Sequence, residues 1–538
     1  MKTSRSFRYS RVAKTVAFAA TLLAPAAALA QAAPSTELPP ADTSVAPPAD
    51  VPPAVAPVTP PAPLPPVATT PPPAPPVTTV PDATEPQGPV VATPPAPGND
   101  EMLPTDPLAG WSGDTVYLRS ADNEFQLMPG GRLQVDGYFF KRDTDAMPTP
   151  SILLRRARLE VAGWVGKYFF YNIGGDFALG APAAADPVAQ SWVATTDDFV
   201  GIAPWKSLAM LQVGQFDAPF TMENRTSDKY FDFMERSITV RAFGIPSNKE
   251  TGAMINGLLP KKMAYYSIGI FDGDGQNFRN VDAKFDAMGR VYIAPFAMAG
   301  VKSLEDVEIG GSFWVGKRGN NGLRLASQTT QGGVTFLDPT WKITPTMGAT
   351  TPVEVHQNGT QASFAAELNV PIEHKYGLRA EYVHKHQHLA VDDATTPAKL
   401  VELSPGLLDG WSMYGELYAW VLGDDTILPA PGLELQSRLK HFETKAPKSG
   451  VMIAARYEHL NEKISTDKAV TSDPLSGTHE VDSFTLGANY WYSKRYRATF
   501  NYVLNNFSGD AGNLKGIQTT LGGHKTDHEF LLRLAIAL

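Results

Sequence analysis

Beyond residue 108, apolar and polar residues repeatedly alternate over stretches of about ten residues. In Arg132-Leu133-Gln134-Val135-Asp136-Gly137-Tyr138-Phe139 the odd positions are apolar or small and the even ones largely polar. Leu153 to Gly163 puts Leu159 and Val161 on one face, with Arg156, Arg158 and Glu160 on the other. The stretch from Lys284 to Ile293 repeats the pattern. At the end of the chain Phe530, Leu532, Leu534, Ile536 and Leu538 share one face, opposite Glu529 and Arg533. A period of two is the signature of a strand with two unlike faces.

Soluble sandwiches alternate as well, and three features favour a membrane barrel. The polar face carries charges again and again, as a water-filled lumen would. Aromatic residues crowd the strand ends: Tyr138, Phe139 and Phe140; Trp164, Tyr168 and Phe169; Tyr490, Trp491, Tyr492 and Tyr496. Such girdles suit the two membrane interfaces. Tight links (Gly166-Lys167, Ser493-Lys494-Arg495 and the 371–375 region) alternate with long polar stretches such as 317–332 and 388–407. At about 27 residues per strand and connection, residues 109–538 hold about sixteen strands, enough to leave an aqueous channel. The expectation is an all-β, antiparallel transmembrane β-barrel.

The N-terminal part reads differently. Lys2, Arg5, Arg8, Arg11 and Lys14 precede an apolar run from Val16 to Leu29 that ends in Ala28-Leu29-Ala30. This is the layout of a secretory signal peptide over residues 1–30. Residues 32–108 then contain 26 prolines, eight acids and no Lys or Arg. A segment so poor in large apolar side chains builds no core, so 31–108 is expected to be a disordered, polyproline-II-like linker. It would serve as a spacer or as a contact to the cell wall or a periplasmic partner. A signal peptide followed by a barrel places the chain in the outer membrane of a Gram-negative cell. The formal net charge of −9 argues against nucleic acid as a partner. The absence of cysteine excludes thiol chemistry and disulfide scaffolds.

Several runs resemble a known family. Gly130-Gly131-Arg132-Leu133-Gln134-Val135-Asp136-Gly137 is similar to the opening barrel strand of the phosphate-selective porins O and P. Leu154-Arg155-Arg156-Ala157-Arg158-Leu159 is similar to that family's second strand. Val213-Gly214-Gln215-Phe216-Asp217-Ala218-Pro219-Phe220, then Thr226-Ser227 and Met234-Glu235-Arg236-Ser237, match the approach to and the course of a long loop that folds into the pore. Gly269 to Gly275, Ala455-Arg456-Tyr457 and Gly487 to Tyr492 follow in family order. The resemblance implies a sixteen-stranded, homotrimeric barrel with an inward constriction loop and an anion path lined by Arg and Lys. It assigns to that path Arg236, Lys229, Ser227, Arg155 and Arg156, to which Arg225, beside the replaced lysine position, and Arg158, on the inferred lumen face, are added. Guanidinium groups bind phosphate oxygens in pairs, and hydroxyls and lysine add donors.

The chain also departs from that pattern. Asp228 stands where selective members carry a serine, and an exposed carboxylate there would oppose anion selectivity. Asn224 replaces a lysine near the start of the loop, with Arg225 beside it. On the inferred lumen face, bases (Arg132, Arg156, Arg158, Lys284, Arg290, Arg379, Arg456, Arg497, Arg533) nearly balance acids (Asp136, Glu160, Asp176, Asp286, Glu381, Glu416, Glu458, Glu529). Such wall charges also pair across strands simply to hold the wall.

Other chemistry is thin. His384, His386 and His388 share one strand face, as metal ligands or as a solvated loop edge. Asp272-Gly273-Asp274-Gly275 resembles a calcium loop but lacks the later bidentate Glu, and reads as a turn. No Walker A, H-E-x-x-H or G-x-S-x-G motif occurs. The expectation is a passive outer-membrane channel, not an enzyme, without cofactor or metal. It would pass small anions, phosphate or polyphosphate in particular. The alternatives are a weakly selective pore for other small solutes and a non-conducting barrel that tethers through its Pro-rich arm.

Overall fold

The computed structural model describes residues 107–112, 115–141, 148–178, 193–319, 324–343, 351–393, 402–427, 431–432, 449–466, 475–521 and 523–537. The signal peptide predicted over 1–30, the linker 31–108 apart from its last two residues, and Leu538 lie outside the described residues.

Among the described residues sixteen antiparallel strands close into a ring. They are β1 (Phe125–Phe140), β2 (Ser151–Val165), β3 (Phe169–Asp176), β4 (Asp198–Ile202), β5 (Met210–Asp217), β6 (Lys249–Leu258), β7 (Ala264–Phe271) and β8 (Asp286–Ile293). The ring continues with β9 (Glu308–Arg318), β10 (Thr351–Ile372), β11 (Tyr376–Asp393), β12 (Glu402–Leu422), β13 (Gly450–Thr466), β14 (Gly477–Ser493), β15 (Tyr496–Gly509) and β16 (Thr526–Ala537). Each pairs with the next, and β16 returns to β1 with Arg533 opposite Asp136. Closure removes every unpaired edge, which hydrocarbon would not tolerate. The wall is uneven. β10 to β15 run for 14–22 residues, whereas β3, β4 and β5 have eight, five and eight.

The two faces follow the alternation. Leu133 and Phe139 of β1 are exposed while Gln134, Asp136 and Tyr138 are buried. Phe530, Leu532, Leu534 and Ile536 of β16 are exposed while Glu529 and Arg533 are buried. Three details differ from the sequence reading. Phe139, Tyr168, Phe169, Tyr490, Tyr492 and Tyr496 do face outward, but Tyr138, Phe140, Trp164 and Trp491 are buried inside. In a run of consecutive aromatics on a strand, every second ring must turn inward. Lys284 precedes β8 and is exposed rather than lumen-facing. The register of β1 against β2 slips by one residue at Arg155, so that Gln134 pairs with Arg156 and Val135 with Leu154. This bulge turns two consecutive arginines, Arg155 and Arg156, toward the lumen. It also switches the outward positions of β2 from Ile152 and Leu154 to Leu159 and Val165.

Two loops fill the interior. The first, residues 218–248 between β5 and β6, carries the short helix α1 (Ile238–Phe243), whose N-terminus is capped by Ser237 accepting from Val240 N–H. On the low side of the barrel, Trp164, Phe170, Phe199, Phe216 and Phe271 form a chain of tilted and edge-on rings 5.3–6.2 Å apart. Phe220, Met234, Ile238, Phe243 and Ile245 of the loop join them in one apolar cluster. The loop is therefore packed onto one wall by the hydrophobic effect, and its polar edge is left toward the rest of the lumen. The second loop lies between β9 and β10 and was read as an outer polar stretch. In its hairpin, Gln328–Thr329 with Thr335–Leu337, the side chains of Gln328, Phe336 and Leu337 are buried instead, while Thr335 is exposed. The tip Thr330-Gln331-Gly332 bonds to Glu529 of β16 and Glu458 of β13, and Arg241 donates to the carbonyls of Thr329 and Thr330 at 2.6 and 2.8 Å.

Phe243 is fully buried where the first loop meets the wall. Replacing it with Ala is expected to cost about 3–5 kcal/mol through the cavity left behind. Denaturant unfolding in lipid vesicles would show this as a lower midpoint, and single-channel traces as noisier current.

Candidate anion site at the pore constriction

The polar edge of the 218–248 loop meets β1 and β2 through charge. Asp228 is buried and takes three guanidinium groups. Arg132 binds one carboxylate oxygen, while Arg156 at 2.7 Å and Arg158 at 3.7 Å approach the other. Burial opposes the charge on Asp228, but the three arginines outweigh it and hold its carboxyl well below the usual carboxylate range. Arg132 also binds Glu160 at 2.7 Å, and Arg158 binds Asp176 at 2.7 Å. Arg155, turned inward by the bulge, reaches Glu235 of the loop at 3.2 Å. Glu235 is shared with Arg533, whose guanidinium also grips Asp136 at 2.6 Å.

The other residues predicted for the anion path fall into two groups. Lys229 sits 3.5 Å from Glu160, and the Ser227 hydroxyl accepts from Arg132 at 3.5 Å; both are part-exposed beside Asp228. Arg236 lies over the Phe231 ring, 4.6 Å from its centroid. It donates to the backbone carbonyls of Glu223, Asn224 and Thr226 at 3.2–3.3 Å, so it folds the loop's own turn. Arg225 is buried beneath the loop and bonded to the Asp217 carbonyl. Asn224, at the departed lysine position, ties the loop to the carbonyls of Ala218 and Asn248.

A polar cavity of about 50 Å³ results, lined by Arg132, Arg156, Arg158, Arg236 and Lys249 against Asp197, Asp217 and Asp228, with Ser227 at its edge. Five bases face three acids. Lys249 opens β6 directly across from Asp217, and its ammonium lies 2.7 Å from both Asp217 and Asp197. The sequence carried no signal for Lys249 or Asp197, because strand pairing brings them together across about fifty residues. Asp228 also departs from expectation. It is not an exposed carboxylate facing the solute but a buried one that clamps the loop to the wall.

Away from the lumen, Asp409 approaches His386 at 3.0 Å and His384 at 3.9 Å on the outer face of β11 and β12. Among the described residues no set of three or more His, Cys, Asp or Glu side chains is arranged to hold a metal ion. Asp272–Gly275 forms a turn in which Gly273 and Gly275 take positive φ.

Residues 129–390 match the family model described as phosphate-selective porin O and P. The match supports the phosphate-selective porin O and P family for this chain. With its closed barrel and apolar outer belt, this porin is a channel of the outer membrane. No curated protein matches it in sequence. Among solved structures it resembles the trimer form of the outer membrane protein OmpT of Vibrio cholerae, at 12% identity and a TM-score of 0.44, covering 77% of this chain and 99% of that one. An anion-selective porin from Comamonas acidovorans gives 9% identity and 0.42, over 77% and 100% of the two chains. The outer membrane channel DcaP of Acinetobacter baumannii gives 10% and 0.41, over 78% and 99%.

Neutralising Asp228 in Asp228→Asn leaves Arg132, Arg156 and Arg158 with one carboxylate fewer. The reversal potential in a salt gradient is expected to move toward the chloride equilibrium potential. A shift toward potassium, or none, would count against the clamp.

Proposed function

We propose that this porin passes small anions by passive diffusion, with phosphate or polyphosphate as substrate. The observation that carries the reading is the excess of five bases over three acids around the cavity at the constriction. A net positive, narrow, partly dry zone concentrates anions and disfavours cations. Arg156 and Arg158 of β2, Arg132 of β1 and Lys229 and Ser227 of the loop supply donors suited to phosphate oxygens. Arg155 and Arg236 act in this reading as props that hold the loop in place.

A weakly selective pore for other small solutes is the second reading. It draws on the ion pairs themselves, since each carboxylate bound to an arginine lowers the field an anion feels. Phosphate must compete with Asp228 for the same guanidinium groups.

The homotrimer is proposed on the uneven wall. A five-residue strand such as β4, tilted about 45°, rises only about 12 Å, well short of an apolar band about 25 Å tall. Outside this low arc lies an apolar groove of about 590 Å³ edged by Phe169, Ile173, Val200 and Val213. Two further copies would cover both. Residues 1–30 remain a proposed signal peptide, and 31–108 a proposed linker with cell-wall or periplasmic contacts.

The test is phosphate block of chloride current through the full mature chain in a planar bilayer. Phosphate is expected to reduce the current, and Arg156→Gln to raise the blocking concentration several-fold. Current indifferent to phosphate would favour the weakly selective reading.

A further inference from the structure

The apolar groove on the outer face of the low arc ends at a basic rim. Two of its lining residues, Val165 and Phe169, flank the link Gly166-Lys167-Tyr168 between β2 and β3. The next link at this end, residues 203–209 between β4 and β5, is bonded to the first. The Ala203 N–H donates to the Tyr168 carbonyl at 2.8 Å. The one after, residues 259–263 between β6 and β7, adjoins in turn, since the Tyr266 hydroxyl of β7 donates to the Leu208 carbonyl at 2.8 Å. The three links carry Lys167, Lys206, Lys261 and Lys262 and no acid. All four lysines are exposed, and none forms an ion pair among the described residues. Lys167 lies over the Tyr168 ring, 5.6 Å from its centroid, and Trp205, Leu208 and Leu259 are exposed on the same links.

The turns themselves do not demand lysine. Lys206, Lys261 and Lys262 take positive φ of 56°, 57° and 56°. Glycine or asparagine adopts that conformation with less strain. Glu373 and His374 adopt it in the link between β10 and β11, but there the protein supplies partners. His374 meets Asp425 at 2.6 Å, and Lys375 donates to the Gly423 carbonyl. Lys302, in the link between β8 and β9, is followed by Glu305 and Asp306. The low arc instead presents four unbalanced ammonium groups at the end of an apolar groove.

Tight links of an outer-membrane barrel face the periplasm, so this rim lies at the depth of the phospholipid headgroups. Aromatic and basic residues anchor a protein at that depth, and lysines there attract anionic headgroups. We propose that the low arc binds an anionic phospholipid. One acyl chain lies along the groove edged by Val165, Phe169, Ile173, Val200 and Val213, and the phosphate sits at Lys167 and Lys206. The inference is independent of which solutes the pore passes. Where copies of the chain meet along this arc, the lipid fills the groove between them.

The test uses the full mature chain, stripped of lipid in detergent. It is incubated with equal amounts of phosphatidylglycerol and phosphatidylcholine of identical acyl chains, and the retained lipid is read by native mass spectrometry. Phosphatidylglycerol is expected to be favoured by about fivefold for each lysine engaged. Lys167→Gln combined with Lys206→Gln should bring the two lipids level, whereas Lys302→Gln should leave the preference unchanged. Val200→Trp, which fills the groove, should reduce retention of both lipids. Equal retention of the two lipids by the unsubstituted chain would overturn the inference, as would a preference that survives the double substitution. Retention unmoved by Val200→Trp would overturn the groove as the seat of the acyl chain. Protein that keeps its oligomeric state yet retains neither lipid would overturn the whole inference and leave the groove to a neighbouring copy.

Discussion

The interior depends on one contact, the carboxylate of Asp228 among Arg132, Arg156 and Arg158. A barrel wall that presents guanidinium groups to a confined lumen must satisfy them, because an unpaired buried charge costs several kcal/mol. Asp228 does this from the loop side, and in doing so fixes the height and reach of the loop. The Arg155–Glu235 and Arg533–Glu235 contacts repeat the arrangement a few residues further on. Removing one partner of such a buried set is expected to cost about 3–5 kcal/mol. Apolar packing chooses which wall the loop lies on, and the ion pairs choose where along the wall it stops.

The same contact explains why the pore is less basic than its arginines suggest. Nine lumen bases were expected, but most of those the structure places inside bind carboxylates, whether on the wall (Arg290 with Glu367, Arg456 with Glu458) or on the loop (Arg379 with Asp232). What remains for a solute is the local imbalance around the cavity. That imbalance depends on where the loop lies, so the charge around the basic cavity is a property of the loop's placement more than of its composition.

Much of the barrel was legible in the chain. The alternation of β1 and β16 gave their inner and outer faces correctly, because a period of two leaves no freedom once one face meets lipid. The shift of β2 is missed, because the alternation reads as unbroken from Leu153 to Gly163, whereas outward Ile152 and Leu154 give way to Leu159 at Arg155-Arg156. What the sequence hid was set by contacts far along the chain. Arg533 meets Glu235 across about 300 residues, and Lys249 meets Asp197 only through pairing and loop closure. The hairpin around Thr330-Gln331-Gly332 reads as an ordinary polar loop, since a loop that plugs a wet, charged lumen needs the same polar residues as one in solvent. Asp228 was legible as a departure, but its burial was not.

The central claim is that the 218–248 loop, clamped through Asp228, narrows and polarises the channel. The direct test is the single-channel conductance and reversal potential of a variant in which residues 222–236 are replaced by a short Gly-Ser bridge. The account predicts a several-fold larger conductance and an ion preference close to that of bulk salt. Unchanged conductance with unchanged preference would contradict it and place the constriction elsewhere in the barrel.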